Sequence, residues 1–362
     1  MRKGMMVAAA ALLMAMAPGG TTPPDADTSL DSLRLDQVRM LGSHNSYRPY
    51  PLPEVEARLR TLLPSSWEGL AYGHPPLESQ LALGLRQLEI DVAPDPQGGA
   101  YAAPYANGTE EIKAEMAAPG AKTIHIPGID WQTHCRTFRG CMALFRRWSD
   151  AHPGHLPVMI LVNASDVRPI PGVRTTDIGF DAATLDALDA DIAATIGRER
   201  VIAPDDVRGT LPTLRDAVTA HRWPTIGASR GKFLFVLDTS DANEERYRTG
   251  HASLKGRMMF GWYPEDAPEA AFFNTQSPTA DTATITRRVK AGFMVRTRAD
   301  AETLEARTHD RRRLDTAIAS GAQLISTDYY EGAPDPRGLN WAVSLGKSTV
   351  ICNSVTAACP KR

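Results

Sequence analysis

The chain has 362 residues, of which 43% are hydrophobic and 23% are charged, so it is long enough to bury a sizeable core and does not have the composition of a disordered protein. Lysine and arginine number 40 against 42 aspartate and glutamate residues, giving a formal net charge of −2. Because no basic block is present that would follow a phosphate backbone, the composition argues against a nucleic-acid partner and against a polybasic membrane anchor.

The N-terminus has the pattern of a secretory signal. Two basic residues precede an apolar run over residues 5–16, and the small-residue motif Ala-Met-Ala occupies residues 15–17. We therefore expect residues 1–17 to be a signal peptide and the mature protein to be exported, to the periplasm or the medium. A membrane anchor is the alternative, but about 12 apolar residues are too few to cross ~30 Å of hydrocarbon. Residues 18–35, rich in Pro, Thr, Asp and Ser, are expected to form a flexible segment.

Short β-type runs then alternate with helical patterns. The eight predicted strands cover residues 38–42, 85–92, 122–126, 157–162, 232–237, 257–261, 292–296 and 323–326. Apolar residues at helical spacing predict a helix over 185–196, and a second helix over 303–320 is expected to end at Gly321. Strand followed by helix, repeated about eight times, is typical of an α/β fold of the TIM-like (β/α)8 barrel type.

A doubly wound open sheet is the alternative fold. Polar clusters follow several different predicted strands, which favours the barrel, because an open sheet gathers its ligand groups near one switch point. We therefore predict a single barrel domain over residues 36–337, followed by a C-terminal appendage at 338–362.

The four cysteines form two close pairs, Cys135 with Cys141 and Cys352 with Cys359. An even number of cysteines in an exported chain predicts two local disulfides, the second of which would close the C-terminal appendage. A zinc site built from all four thiolates is the alternative, but neither pair has the spacing of two to four residues that is usual for zinc ligands.

Polar side chains accompany the first two predicted strands. His44 and Asn45 come directly after the first strand, where a barrel builds its active site. Glu89 and Asp91 share one face of the second strand, because strand side chains alternate. Two carboxylates about 6 to 7 Å apart repel each other unless a cation or protons lie between them. With Asn45 they supply three oxygen ligands, which suit Ca²⁺ better than zinc.

A second histidine, His125, follows the third predicted strand. A lone histidine in a loop is usually only a hydrogen-bonded polar residue, but two histidines facing one oxygen-ligated metal can act as general base and general acid near neutral pH. Of the remaining seven histidines, His152 and His155 lie in a turn and are expected to be structural, and the other five have no partner cluster in the sequence.

These motifs resemble the bacterial calcium-dependent phosphoinositide-specific phospholipase C family. The matching segments are residues 43–47 (SHNSY), 76–81 (PLESQL), 84–91 (GLRQLEID), 148–155 (WSDAHPGH), 230–232 (RGK), 295–300 (VRTRAD) and 320–330 (SGAQLISTDYY). The resemblance extends over about residues 36–358 and implies a distorted (β/α)8 barrel, dependence on Ca²⁺, and cleavage of phosphatidylinositol to diacylglycerol and an inositol phosphate. It also implies a peripheral protein that meets its phospholipid substrate at a membrane surface, and we expect a monomer.

By position, His44 and His125 resemble the family's two catalytic histidines, and Asn45, Glu89 and Asp91 resemble its metal ligands. In that case His44 would help to deprotonate the inositol 2-hydroxyl, and His125 would protonate the departing diacylglycerol oxygen, while Ca²⁺ neutralises charge on the phosphoryl oxygens. No protein nucleophile is required, because attack by the neighbouring hydroxyl is intramolecular.

Three further side chains are candidates. Asp328 follows the last predicted strand, next to the first strand of a closed barrel, and could orient the imidazole of His44; otherwise it caps a turn at the rim. Arg296 and Arg298 lie two residues apart after the seventh strand, so that one of them could hold a phosphate; otherwise they form outer salt bridges.

The fourth strand departs from the family's pattern, in which a glutamate or similar residue is followed two places later by a lysine. Here Asn163 keeps an oxygen ligand without its charge, and Ser165 supplies no cation. Calcium should therefore bind more weakly, and one contact to the transition state is missing. Either Asp166 and an arginine such as Arg168 or Arg296 take over these roles, or the substrate has changed.

Two other functions stay open. One is a glycerophosphodiester phosphodiesterase-like hydrolase, whose family typically has Arg-Gly after its first histidine where this chain has Asn45 and Ser46. The other is a non-catalytic protein that binds phosphorylated polyols or lipid headgroups, which the altered residues Asn163 and Ser165 make plausible.

Contact with a bilayer would be helped by exposed aromatic residues in loops at the barrel mouth. The candidates are Trp67, Tyr72, Tyr101, Tyr105, Trp262 and Tyr263. The alternative is that these rings pack their own loops.

Overall fold

The computed structural model describes residue 25, residues 27–167, residues 170 and 173, and residues 178–359. The predicted signal peptide at 1–17, residues 18–24 and 26 of the segment predicted at 18–35, and Arg168 lie outside the described residues. Within the described part of the chain, no helix has both the length and the apolar character needed to cross a membrane.

Eight parallel strands form a nearly closed barrel. The strands of the described residues are β1 (Val38–Ser43), β2 (Gln87–Ala93), β3 (Lys122–Thr123), β4 (Val158–Asn163), β5 (Phe233–Asp238), β6 (Met259–Phe260), β7 (Phe272–Asn274), β8 (Met294–Arg298), β9 (Leu324–Thr327) and β10 (Val350–Cys352). The parallel strands follow the order β6-β5-β4-β2-β1-β9-β8-β7. A single parallel bridge between Trp262 and Phe272 joins the two ends of this order. The predicted TIM-like α/β barrel in one domain is confirmed.

The barrel is distorted at two seams. One is the Trp262–Phe272 bridge. At the other seam, β1 and β2 pair only between Gly42 and Gln87. A Cβ atom at Gly42 would lie only 2.4 Å from the backbone oxygen of Gln87, so glycine permits this close approach. Beyond that pair, Ser46 joins the two strands, because its N–H donates to Glu89 O at 2.9 Å and its Oγ accepts from Glu89 N at 2.8 Å.

The prediction that residues 122–126 form a barrel strand was wrong. In the structure β3 is only Lys122–Thr123 and pairs antiparallel with the end of β2, outside the ring. The chain then turns through Pro127 and Gly128, so that Ile126 pairs with Asp130. The strand that completes the barrel is β7, which the sequence did not reveal because three residues are too short to show a periodicity.

Helices cover the outside of the barrel and its loops. They are α1 (Pro53–Leu62), α2 (Trp67–Leu70), α3 (Leu77–Ala82), α4 (Glu110–Ala117), α5 (Phe138–Ala151), α6 (Ala182–Thr195), α7 (Pro204–Arg208), α8 (Leu214–Thr219), α9 (Ile226–Ser229), α10 (Asp241–Arg248), α11 (Pro278–Lys290), α12 (Leu304–Thr308) and α13 (Arg312–Ser320). The helix predicted over 185–196 is α6, which Asp181 caps by accepting from Thr184 N. The helix predicted over 303–320 is divided into α12 and α13 by His309, whose backbone is left-handed. Gly321 ends α13 in the left-handed conformation, as predicted.

The C-terminal residues are attached to the barrel. β10 pairs antiparallel with β1, with Cys352 opposite Val38. The side chain of Asn353 donates to Gly321 O at 2.7 Å and accepts from Arg39. Both predicted disulfides, Cys135–Cys141 and Cys352–Cys359, are present, so the zinc–thiolate alternative is excluded.

Candidate active site

The predicted site residues come from five strand ends at one mouth of the barrel. They are His44 and Asn45 after β1, Glu89 and Asp91 in β2, Asn163 at the end of β4, Arg296 and Arg298 in β8, and Asp328 after β9. Because the strands are parallel, their carboxyl ends meet at the same mouth. His125 approaches from the loop after β3.

His44 and Asp328 form a hydrogen-bonded pair. His44 Nδ1 lies 2.9 Å from Asp328 Oδ1. An ionised carboxylate can only accept, so Nδ1 carries the proton and Nε2 is left as an acceptor. Burial alone would raise the pKa of Asp328, but His44 and Arg298 hold it below its usual range. The structure therefore brings together the two groups that the sequence suggested as partners.

Arg298 completes this group. Its Nη2 donates to Asp328 Oδ2 at 2.8 Å, and its Nη1 lies 3.3 Å from His44 Nε2. Burial and the adjacent guanidinium of Arg298 lower the pKa of His44, although Asp328 opposes the shift. The imidazole is therefore neutral near pH 7, which is the form that a general base requires.

His125 has a carboxylate partner of its own. Its Nδ1 lies 2.8 Å from Asp130 Oδ2, the same oxygen that accepts from Arg48 Nε at 2.6 Å. Burial would raise the pKa of Asp130, but Arg48 and His125 lower it to about 2. Asp130 is therefore ionised, and Nε2 of His125 is the ring nitrogen left available for chemistry.

Tyr72 and Arg48 connect the two histidine groups. The Arg48 guanidinium lies 4.7 Å from the centroid of the Tyr72 ring, and that ring lies 5.6 Å from the ring of His44. The Tyr72 hydroxyl also accepts from Asn45 Nδ2 at 2.8 Å. The side chains of His44 and His125 are 17% and 15% exposed, so both are held firmly while part of each ring stays accessible.

Oxygen-bearing side chains form a row across three neighbouring strands. Asp91 of β2 pairs in register with Asn163 of β4, and Asn163 pairs with Asp238 of β5. Residues in register on adjacent strands point to the same side of a sheet. Burial and the nearby Glu89 raise the pKa of Asp91 well above its usual range and that of Asp238 to about 6. The ionised forms of these carboxyls are therefore disfavoured unless a cation lies beside them.

Arg296 lies below this row and holds Glu89. Its Nη2 donates to Glu89 Oε2 at 2.6 Å, and its Nη1 donates to Asn274 Oδ1 and Gln276 Oε1. Arg296 is only 2% exposed. Of the two arginines suggested for phosphate binding, Arg298 is therefore the more accessible, and Arg296 forms a buried ion pair.

The sequence profile of the family described as Ca²⁺-dependent phosphoinositide phospholipase C matches residues 33–354 of this chain. The chain belongs to this family. This membership confirms the predicted enzyme class, a phosphodiester-cleaving enzyme of the phospholipase C type. Membership also favours this class over the glycerophosphodiester phosphodiesterase alternative and over binding without catalysis.

Solved structures of phospholipases C share the fold. One is the calcium-dependent phosphoinositol-specific phospholipase C from a Gram-negative bacterium, Pseudomonas sp., in a myoinositol complex, with 15% identity, a TM-score of 0.58, and coverage of 91% of this chain and 99% of that chain. Another is the Ca²⁺-dependent phosphatidylinositol-specific enzyme from Streptomyces antibioticus, with 18% identity, a TM-score of 0.52, and coverage of 82% and 94%. At these identities the likeness concerns the fold alone. No curated protein matches the chain.

The mouth has the oxygen chemistry that the family's calcium requires. Asn45 Oδ1 and Asp91 Oδ1 are buried and have no hydrogen-bond partner among the described residues. Hard carboxylate and amide oxygens are the ligands that Ca²⁺ prefers. Within the described ranges, no three histidine, cysteine or carboxylate side chains form a group that could hold a metal. A calcium site at this mouth therefore needs asparagine amide oxygens beside the carboxylates. The donors therefore fit calcium in chemical type.

Several site residues were missed by the sequence reasoning. Five residues received no role in the site from the sequence: Arg48, Tyr72, Asp130, Asp238 and Asn274. Asp238 carried a usable signal, because it follows the fifth predicted strand directly, as His44 and Asp328 follow theirs. The partners of Arg48 and Tyr72 depend on loop packing, which has no periodic pattern in the sequence.

Burial corrects the expectation about membrane-contacting aromatic residues. Four of the six candidates are 4% exposed: Trp67, Tyr72, Tyr101 and Tyr263. Tyr105 and Trp262 are only half-buried. The large hydrophobic side chains that are exposed among the described residues are Leu52 (46%), Leu83 (40%) and Leu304 (50%). Leu52 and Leu304 lie in the connections that follow β1 and β8 at the mouth, whereas Leu83 lies between α3 and β2 and faces Gly332.

Proposed function

We propose that this protein cleaves phosphatidylinositol-type lipids to diacylglycerol and an inositol phosphate, first formed as the cyclic phosphodiester, by histidine acid–base catalysis assisted by Ca²⁺. One observation carries the proposal: two partly exposed histidines, each held through Nδ1 by a buried carboxylate, lie with an oxygen-rich row in one barrel mouth. This arrangement supplies a base and an acid without a protein nucleophile.

His44 acts as the general base. Its Nε2 accepts the proton of the inositol 2-hydroxyl as that oxygen attacks the phosphorus, and Asp328 stabilises the imidazolium that forms. Arg298 lies beside Nε2 and is placed to meet a phosphoryl oxygen of the substrate.

His125 acts as the general acid. As the bond from phosphorus to the diacylglycerol oxygen breaks, Nε2 of His125 donates a proton to that oxygen, so that neutral diacylglycerol leaves. Asp130 and Arg48 hold the ring in place during this transfer. After this step His44 is protonated and His125 is neutral. The starting protonation states return by proton exchange with water, or when the same two proton transfers run in reverse during hydrolysis of the cyclic phosphate.

Asn45, Glu89, Asp91 and Asn163 would hold the calcium ion. When bound, Ca²⁺ neutralises developing charge on the phosphoryl oxygens and lowers the pKa of the attacking hydroxyl. Asn45 is positioned for this by its left-handed backbone (φ 47°), which asparagine tolerates better than most residues, and by its hydrogen bond to Tyr72.

The activity is tested with phosphatidylinositol in mixed micelles, by following diacylglycerol and water-soluble inositol phosphate. We expect release with Ca²⁺, its loss with a chelator, and its recovery when excess Ca²⁺ is added. A phosphatidylinositol methylated at the 2-hydroxyl should resist cleavage, because the internal nucleophile is blocked. Release from glycerophosphoinositol but not from the lipid would instead support the glycerophosphodiester phosphodiesterase alternative.

We further propose that the mature protein is exported, to the periplasm or the medium, and works as a monomer at the membrane surface. Two features support export: the signal-type pattern at residues 1–17, and the two disulfides, which persist in oxidising compartments.

Leu52 and Leu304 should contact the lipid surface. The connections that carry them are joined, because Thr303 Oγ1 donates to Glu68 O at 2.6 Å. The double variant Leu52→Ser/Leu304→Ser should be about ten-fold less active on phosphatidylinositol vesicles, since the two half-exposed leucines together give up burial worth about 1.5 kcal/mol. Activity on a soluble inositol phosphodiester should stay unchanged. Leu83→Ser, which removes an exposed leucine that precedes a strand, is the matched control; an equal loss in that variant would contradict this surface.

A further inference from the structure

His74 is a buried histidine that the proposed mechanism does not use. It is 2% exposed and lies in the loop between α2 and α3. Its Nε2 lies 2.7 Å from the backbone oxygen of His44 and 3.9 Å from Asp328 Oδ1. A third imidazole therefore contacts the backbone of the proposed base and lies beside the carboxylate that holds that base.

The partners of the His74 ring select one tautomer. A carbonyl oxygen can only accept, so the proton is on Nε2, which donates to His44 O. Nδ1 is left as an acceptor, and the Tyr330 hydroxyl lies 3.3 Å from it. The two rings also stack, with their centroids 5.7 Å apart and their planes 9° from parallel. Burial lowers the pKa of His74 to about 4, so the neutral ring has one donor and one acceptor for its two partners.

The backbone of His74 is held on both sides. Its N–H donates to Arg48 O at 2.9 Å, and its carbonyl oxygen accepts from Nε2 of His134 at 2.8 Å. The preceding residue, Gly73, packs so closely on the backbone of Tyr50 that a Cβ atom would overlap it, and glycine permits this approach. Moving the His74 ring away from His44 would break these contacts.

The carbonyl that His74 contacts belongs to the peptide between His44 and Asn45. Asn45 has a left-handed backbone (φ 47°), which costs about 1 kcal/mol or more in a residue other than glycine. Such a conformation persists only where its surroundings hold it. The hydrogen bond from His74 fixes the plane of this peptide and with it the direction in which the His44 side chain leaves the backbone.

We propose that His74 is a positioning residue for the general base: its hydrogen bond to His44 O holds the His44 imidazole in line with Asp328, so that Nε2 of His44 faces the substrate. Tyr330 supports this by keeping the proton of His74 on Nε2. The side chain of His74 is fully buried, so it acts on the reaction only through His44. This inference rests on the proposed function, in which His44 is the base.

The test measures kcat and KM for phosphatidylinositol in mixed micelles. His74→Leu fills similar space without a donor and should lower kcat by about 10²-fold with little change in KM, because a displacement of about 1 Å at a catalytic group can cost this factor. His74→Gln has an amide N–H that can replace Nε2 as the donor, so its kcat should recover to within about five-fold of the wild type.

Two further variants separate positioning from general stability. In the double variant His44→Ala/His74→Leu, the second change should cost almost no further activity, because a residue that acts through His44 has nothing left to position. His155→Leu is the matched control: His155 is 1% exposed, bonds to Ser149 Oγ at 2.9 Å and contacts the ring of Phe233 at the start of β5. This variant should lower the melting temperature and leave kcat close to that of the wild type.

The outcomes separate this inference from the proposed function. If the wild type does not cleave the lipid, or His44→Ala keeps full activity, the proposed function fails and the inference fails with it. If the wild type is active, His44→Ala is not, and a folded His74→Leu keeps its kcat, the positioning role is overturned while the proposed function stands. A loss in His74→Gln as large as in His74→Leu would also overturn it, because the donor would not be the cause.

The melting temperature shows whether His74→Leu folds. If it does not fold, Tyr330→Phe decides, because this variant keeps the stacked ring and removes only the hydroxyl. The other tautomer of His74, which turns a lone pair toward His44 O, is then no longer disfavoured, so kcat should fall by about five-fold. An unchanged kcat in Tyr330→Phe would overturn the inference.

Discussion

Replacing His125 with alanine should slow cleavage of phosphatidylinositol by about 10²–10⁴-fold, the usual contribution of a general acid or base. The loss should be much smaller on an inositol phosphate ester with an aryl leaving group. A phenolate leaves without being protonated, whereas the alkoxide of diacylglycerol does not. The measurement is kcat for both substrates, for the wild type and for His125→Ala.

His44→Ala should lose a similar factor on both substrates, because each requires removal of the proton from the 2-hydroxyl. His152→Ala is the matched control: this imidazole is exposed, stacks on Trp148 and lies before β4, away from the mouth. Equal losses of His125→Ala on both substrates would contradict the assignment of His125 as the acid.

Asp328→Asn should reduce kcat by about 10²–10⁴-fold with little change in fold. The amide can donate to Nδ1 of His44 and so favour the tautomer in which Nε2 carries the proton and cannot accept one. The measurement is kcat with the melting temperature as a control. A variant that keeps its melting temperature and full activity would show that Asp328 does not set the tautomer.

The dependence of activity on pH gives a second readout for the group formed by His44, Asp328 and Arg298. Burial and the neighbouring Arg298 lower the pKa of His44, so activity should persist to a lower pH than an ordinary histidine would allow. In Arg298→Gln the pKa of His44 should rise, and the acid limb of kcat/KM should move to higher pH. The same variant should raise KM, since the guanidinium is placed to meet the phosphate. An acid limb that does not move would exclude Arg298 as the neighbour that tunes the base.

The site residues that the sequence predicted correctly lie at the ends of strands. Alternation in the second strand placed Glu89 and Asp91 on one face, and His44 and Asp328 followed runs that were plainly strands. Asp238 received no role although it directly follows the predicted strand, which stops at Leu237. Only the register between β4 and β5 shows that Asp238 lies beside Asn163.

Other features depend on contacts between distant parts of the chain. Arg296 meets Glu89 across 207 positions in the sequence, so no local pattern distinguishes a buried ion pair from a phosphate clamp. His125 was selected correctly as a residue near the mouth although its strand assignment was wrong. Its placement comes from the turn that pairs Ile126 with Asp130 and from Arg48, not from a barrel strand.

The first strand of the barrel has a consequence for the order of folding. β1 pairs with β9 and β10, the last two strands of the chain, and His44 meets Asp328 across 284 positions. Contacts of such long range form late, because closing a long loop costs conformational entropy before the free energy of the new contacts can offset that cost. The catalytic base therefore gains its partner only after almost the whole polypeptide is available, and a partly synthesised or partly translocated chain has no competent active site.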